Sequence, residues 1–211
     1  MLIENTPTLT FIAASAEYGH KMKSACPNAE IIGVGPIEAA FNVTRILMKH
    51  QHNNTLPKLL FSVGTAGSQT LEQGALYQIN RVSYRDMDAR AFGFDKGVTP
   101  FVNYPAEFQL PVLLDTIPTA SLSTGAMIID KQGSAALRFD DINADCVDME
   151  TYSIARIAHY FNIPLIALRG ISDGKENAHG IQTWEAYLEI IDTKIAEYYG
   201  SIKIKYMPKI K

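Results

Sequence analysis

Short apolar runs of strand length alternate with helical segments along this chain, and that alternation restricts its architecture more than any other feature. Thr8 to Ala14 (TLTFIAA) reads as a buried strand. So do Glu30 to Val34, Leu59 to Val63, Gln78 to Tyr84, Thr119 to Ser123, Asp145 to Asp148 and Leu165 to Gly170. Helices lie between several of them. Pro36 to His50 opens with proline after Gly35 and carries Ile37, Ala40, Phe41, Ile46 and Leu47. Thr151 to Phe161 sets Ile154, Ile157, Ala158 and Phe161 on one face, and Trp184 to Tyr199 turns Tyr187, Ile190, Ile191 and Ile195 inward. Such a chain is expected to be a three-layer α/β/α fold with a central mixed, mostly parallel sheet.

The sequence holds no internal repeat, low-complexity tract or linker-like break, so residues 1–211 read as a single domain. At 211 residues and 47% hydrophobic content, it can bury one sizeable core and is too apolar for disorder. No apolar run approaches the ~20 residues of a membrane span. The opening MLIENTPTLTFIAAS lacks the basic start of a secretory signal, so a cytoplasmic location is expected. A net charge of −3 gives no long-range attraction to nucleic acid or an anionic membrane. The basic end, IKIKYMPKIK, reads as a solvated tail or a final edge strand. Cys26 and Cys146 form neither a disulfide framework nor a metal motif, and reduced thiols are expected. Asp86-Met87-Asp88 offers only paired carboxylates and the histidines show no ligand spacing, so neither metal nor cofactor is anticipated.

In sheets of this kind a ligand sits outside the carboxyl ends of the strands. Right-handed crossovers bring successive parallel strands to one edge, which directs attention to the polar residues just after each strand. Glu17 follows the first. Gly64-Thr65-Ala66-Gly67-Ser68 follows Val63, and its glycines let backbone N–H groups approach a ligand. Met149-Glu150 follows Asp148, and Ser172-Asp173-Gly174 follows Gly170. Glu150 and Asp173 flank a single strand–helix–strand unit and are expected at the same sheet edge. Each also has a plainer reading when taken singly. Glu17 suits the first turn of a helix, Glu150 a helix cap, Gly64 to Gly67 a tight turn, and SDG a turn or cap.

The segments SVGTAGS, SYRDMDARAFGF, STGAMIID, VDMETYSIARIAHYFNIP and LRGISDG, in this order, change the reading. With them the chain resembles the methylthioadenosine/S-adenosylhomocysteine nucleosidases and the wider purine nucleoside phosphorylase superfamily, from about Thr8 to the final helix. The resemblance implies hydrolysis of the bond between ribose C1′ and adenine N9, with an oxocarbenium-like transition state. It implies that Asp173 delivers a proton towards adenine N7 and that Glu17 deprotonates the attacking water. Glu150 would accept hydrogen bonds from the ribose 2′- and 3′-hydroxyls, with Met149 packed on the ribose face. Met127 and Ile128 would grip adenine, and Thr65, Ala66, Gly67 and Ser172 would line the pocket. Phe92 and Pro100 match positions that a neighbouring subunit contributes to an apolar 5′ pocket, which implies a homodimer.

This sequence departs from the family pattern in three places. Met127 replaces the aromatic residue that stacks on adenine, and Gly125 replaces an aspartate. The stretch Tyr18 to Ile32 is also shorter than usual, so a trimmed sheet and a more open flank are expected. GVGPIEAA also resembles futalosine hydrolases. It is no dinucleotide fingerprint, because Gly33-x-Gly35 lacks the third glycine and Glu38 stands there. A phosphorolytic enzyme on the same fold needs arginine clamps for phosphate. Ser62 precedes Val63 and the GVGPIEAA loop has no basic residue. Arg85 and Arg90 fall outside the clamp positions, and Arg45 lies well along a helix. A non-catalytic nucleoside-binding protein is the other rival, and the presence of both Glu150 and Asp173 argues against it.

Overall fold

The computed structural model describes residues 7–113, 115–129, 142–174 and 181–201. The strands are β1 (Thr8–Ile12), β2 (Glu30–Ile31), β3 (Leu59–Gly67), β4 (Leu76–Tyr84), β5 (Glu107–Gln109), β6 (Thr119–Thr124), β7 (Cys146–Asp148) and β8 (Leu165–Asp173). The helices are α1 (His20–Ala25), α2 (Pro36–His52), α3 (Thr151–Phe161) and α4 (Ile181–Ser201). Alternate residues of β3 point to opposite faces, as strand geometry requires. Leu60 joins a core with Ala39, Val43 and Leu47 of α2 and Ile154 and Ala158 of α3. Leu59, Phe61 and Val63 join a second core with Met22 of α1 and Ile191 and Ile195 of α4. A mixed sheet therefore lies between two helical layers, as the alternation of elements anticipated.

Pairing within the sheet is parallel for β1–β2, β1–β3, β3–β8, β4–β6 and β6–β7, and antiparallel for β3–β7, β4–β5 and β4–β8. The path from β3 through β8, β4, β6 and β7 returns to β3, so the sheet curls into a closed ring. This corrects one expectation. The unit β7–α3–β8 is not a crossover between neighbouring parallel strands, because β7 runs antiparallel to β3 while β8 runs parallel to it. The strand ends meet by another route. Gly67 pairs with Val147 on one side and Asp173 on the other.

Several boundaries also move. β3 continues through Gly64 to Gly67, and β8 continues through Ser172 to Asp173, so both segments expected as loops are strand. β2 stops at Ile31, ahead of Gly33 and Gly35, whose φ values of 87° and 95° leave the extended region. The short stretch after Glu17 holds α1. On α2, Ile37 and Phe41 face outward at 81% and 65% exposure, while Ala39, Val43, Ile46 and Leu47 face the core. Ile190 is likewise exposed, with Ile191 and Ile195 inward. Both cysteines are buried and free, and burial pushes the Cys146 thiol up. The basic IKIKYMPKIK end lies outside the described residues. Among the described residues no helix is long and apolar enough to cross a membrane.

A buried ion pair crosses the ring. Arg169, in the middle of β8, meets Asp148 at the end of β7 at 3.0 Å, with side-chain exposures of 3% and 1%. Arg169 Nη2 also donates to Ser62 Oγ on β3 at 2.9 Å and to Thr151 Oγ1 at 2.6 Å. Asp148 further accepts from Thr124 Oγ1 at 2.6 Å and from the Thr151 N–H at 3.1 Å. Removing one partner would strand the other charge in the core. Asp148→Ala should lower unfolding free energy by about 3–5 kcal/mol in urea denaturation. The double change Asp148→Leu, Arg169→Met should recover a large part of that loss.

Candidate active site

Glu17 ends the 3₁₀ turn Ser15–Glu17 that follows β1. Its Oε1 accepts the Thr65 N–H at 2.8 Å and the Thr65 hydroxyl at 2.7 Å, and its Oε2 accepts the Ala14 N–H at 3.2 Å. Gly64 allows this approach, because a β-carbon there would stand 3.2 Å from Oε1. The carboxylate is thus aimed at β3 by two donors of Thr65, while its second oxygen caps its own turn through Ala14. Trp184 of α4 completes the cluster, with its Nε1–H donating to Thr65 Oγ1 at 2.9 Å.

Glu150 occupies the N-cap position of α3 yet makes no side-chain cap bond. Its Oε1 instead accepts the Gly35 N–H at 2.7 Å, from the loop that opens α2. The carboxyl is buried, and its pKa is pushed up to about 8. Desolvation is the main cause, the nearby Asp148 charge the next; the Gly35 hydrogen bond and Arg169 oppose them, and the Glu17 charge adds to the rise. Glu17 and Glu150, distant in sequence, therefore share one electrostatic environment.

Asp173 is the last residue of β8, and Ser172 Oγ donates to its Oδ2 at 2.8 Å. A β-carbon on Gly67 would lie 2.6 Å from Asp173 Oδ1, so only glycine fits beside this carboxylate. Gly174 then turns the chain at φ 107°, against the Ser68 backbone. Ser172 itself is fully buried.

Met127 and Ile128, expected from the sequence to hold the base, are 46% and 80% exposed. Their loop is pinned by the buried Arg85. It donates to the carbonyls of Gly125 at 3.1 Å, Met127 at 2.7 Å and Asp148 at 3.0 Å, and also to that of Ser123. Burial lowers the pKa of this guanidinium. A β-carbon at Gly125 would fall 2.5 Å from both Arg85 Nε and Asp86 Oδ1. In this arrangement any side chain at position 125 would displace Arg85 or Asp86. Ala66 and Gly67 are buried beside the half-exposed Thr65, and Met149 is half-buried. Phe92 and Pro100 stand apart on the connection from β4 to β5, Phe92 at 84% exposure. Among the described residues no three His, Cys, Asp or Glu side chains group as metal ligands would.

Sequence reasoning passed over Asp148, Arg169 and Trp184. The signal for Arg169 was present, since one charge inside the apolar run LIALRGIS implies a buried partner. Nothing local marked Trp184, whose contact with Thr65 spans 119 positions.

The sequence model of the phosphorylase superfamily matches residues 17–197. Solved structures share the fold. The 5′-methylthioadenosine/S-adenosylhomocysteine nucleosidase of Campylobacter jejuni is 17% identical with a TM-score of 0.76, over 94% of this chain and 98% of that one. A mutant of the Helicobacter pylori enzyme of the same name, with 5′-methylthioadenosine in its active site, is 16% identical with a TM-score of 0.77 over the same shares. The futalosine hydrolase of Helicobacter pylori is 16% identical with a TM-score of 0.74, again over 94% and 98%.

The raised pKa of Glu150 has a stability consequence. Between its ordinary value of 4.5 and about 8, the folded chain holds a proton that the unfolded chain has released. The contribution is complete below the lower value and is lost as pH rises through the upper one. Denaturation at pH 5 and pH 8 should show the parent losing more stability over that interval than Glu150→Gln. Equal losses would mean that Glu150 stays charged throughout.

Proposed function

Since the chain belongs to the phosphorylase superfamily, we propose that it is an N-ribosyl hydrolase releasing adenine from small nucleosides of the 5′-methylthioadenosine and S-adenosylhomocysteine type. The observation that carries this reading is the gathering of carboxylates at the end of β3, with Glu17 on Thr65 and Asp173 against Gly67. Glu150 lies within the electrostatic reach of Glu17. In the reaction, Glu17 takes a proton from water as its oxygen bonds to C1′. The C1′–N9 pair leaves with adenine, and Asp173 protonates the base at N7. Glu150 accepts from the ribose hydroxyls. Met149 packs on the sugar, Met127 and Ile128 hold the base, and Thr65, Ala66, Gly67 and Ser172 wall the pocket.

The surroundings of the arginines near these strand ends favour water over phosphate as the nucleophile. Arg169 is committed to Asp148, Ser62, Leu168 and Thr151, and Arg85 to backbone carbonyls. Arg90 pairs with Asp88 on the surface, and Arg45 reaches Asn42 along α2. Among the described residues, Arg85, Arg90 and Arg169 are thus already engaged and are not left as phosphate clamps. A futalosine-type substrate is the second reading, supported by likeness to the futalosine hydrolase fold and by the GVGPIEAA loop.

A nucleoside panel tested with and without inorganic phosphate should release free base in both conditions; strict dependence on phosphate would exclude hydrolysis. Asp173→Asn should cut turnover by ~10²–10⁴-fold while substrate still binds. We also propose a homodimer in which Phe92 and Pro100 approach the partner's pocket. The exposure of Phe92 and Phe101, at 84% and 96%, supports an apolar contact there. Sedimentation should give twice the chain mass, and Phe92→Ser should weaken the association.

A further inference from the structure

We propose that Trp184 is a positioning residue for Glu17, acting through the hydroxyl of Thr65. The proposal rests on the hydrolytic reading of Glu17. Among the described residues Thr65 Oγ1 has two polar neighbours, Trp184 Nε1 at 2.9 Å and Glu17 Oε1 at 2.7 Å. A threonine hydroxyl carries a single hydrogen, and an indole N–H can only donate. The hydroxyl therefore accepts from Trp184, and its own hydrogen goes to Glu17. This fixed polarity loads Oε1 with two donors, the amide and the hydroxyl of Thr65. Among the described residues Oε2 keeps only the longer 3.2 Å contact from Ala14 N–H. Oε2 is thus the atom left to take a proton from water.

Helix α4 can hold this geometry because it grips both flanks of the site. Asp192 accepts the N–H groups of Lys21 and Met22 at 2.9 and 3.0 Å, tying down the segment just after Glu17. Gly19 packs directly on the Asp192 carboxylate. Lys194 Nζ donates to the Gly74 carbonyl at 2.6 Å, between β3 and β4. Trp184 therefore reaches Thr65 from a helix fixed to both the Glu17 segment and the β3–β4 connection.

Trp184→Phe keeps an aromatic ring and deletes the donor. It should lower kcat about fivefold to tenfold with KM within about twofold, the scale of one neutral hydrogen bond. Thr65→Val should lose at least as much, and Thr65→Ser should recover most of that loss. The double variant Trp184→Phe, Thr65→Val should be no slower than Thr65→Val alone, because both changes break one chain. Additive losses, or an unchanged kcat in Trp184→Phe, would overturn the proposal. A spectroscopic arm needs no turnover. The chain has one tryptophan, so its emission reports the Thr65 contact directly. Glu17→Gln should shift that emission, and an unshifted spectrum would sink the relay. Absence of turnover on every nucleoside, together with a shifted spectrum, would instead count against the hydrolytic reading alone.

Discussion

A guanidinium taken out of water needs acceptors on every side, and Arg169 finds them on the adjacent β3, on β7, which does not pair with its own strand, and on α3. Asp148 from β7, Ser62 from β3 and Thr151 from α3 all converge on it. Asp148 in turn binds Thr124 of β6. Such a pair contributes little net stability beside an apolar replacement, but losing one member is costly. Its presence therefore specifies which elements come together. It holds the end of β7 across the ring from β8, close to the corner where Gly67 touches both Val147 and Asp173. The same Asp148 charge helps to raise the proton affinity of Glu150.

From that corner the three carboxylates diverge in character because their surroundings do. Glu17 is a surrounded acceptor with three donors and a half-exposed position. Glu150 is buried, carries a single backbone donor and lies near two other acids. Asp173 leans on Ser172 at the mouth of a tight turn. Environments that separate otherwise similar acids are how one site assigns different protonic tasks to chemically identical groups. On the proposed reading, ribose hydroxyls donating to Glu150 would favour its charged form, so substrate and proton would compete for that carboxyl. Glycine makes the crowding possible. Side chains at Gly64 or Gly67 would press on Glu17 or Asp173.

The sequence pattern located most strands and all three long helices, because burial on one or two faces leaves a periodic mark. It misjudged where β3 and β8 end. Gly64 to Gly67 and Ser172 to Asp173 look like turn chemistry, but pairing between those two strands extends them to Gly67 and Asp173. It also misplaced Ile190, which is exposed, since an apolar residue on a helix does not say which face is covered. The acidic residues were legible because each follows a strand, although the crossover argument that brought Glu150 and Asp173 together was wrong for this ring.

Residue order and periodicity alone determined the layered architecture and the short list of acids at strand ends. These are local properties, set by backbone preference and by which side chains avoid water. Tertiary structure alone decided that β7 turns against β3, that Gly35 serves Glu150, that Arg169 answers Asp148 and that Trp184 reaches Thr65. Each of those is a directional contact between segments far apart in the chain. Hydrogen-bond direction and charge burial take effect only once the packed sheet has excluded water and brought the partners within about 3 Å.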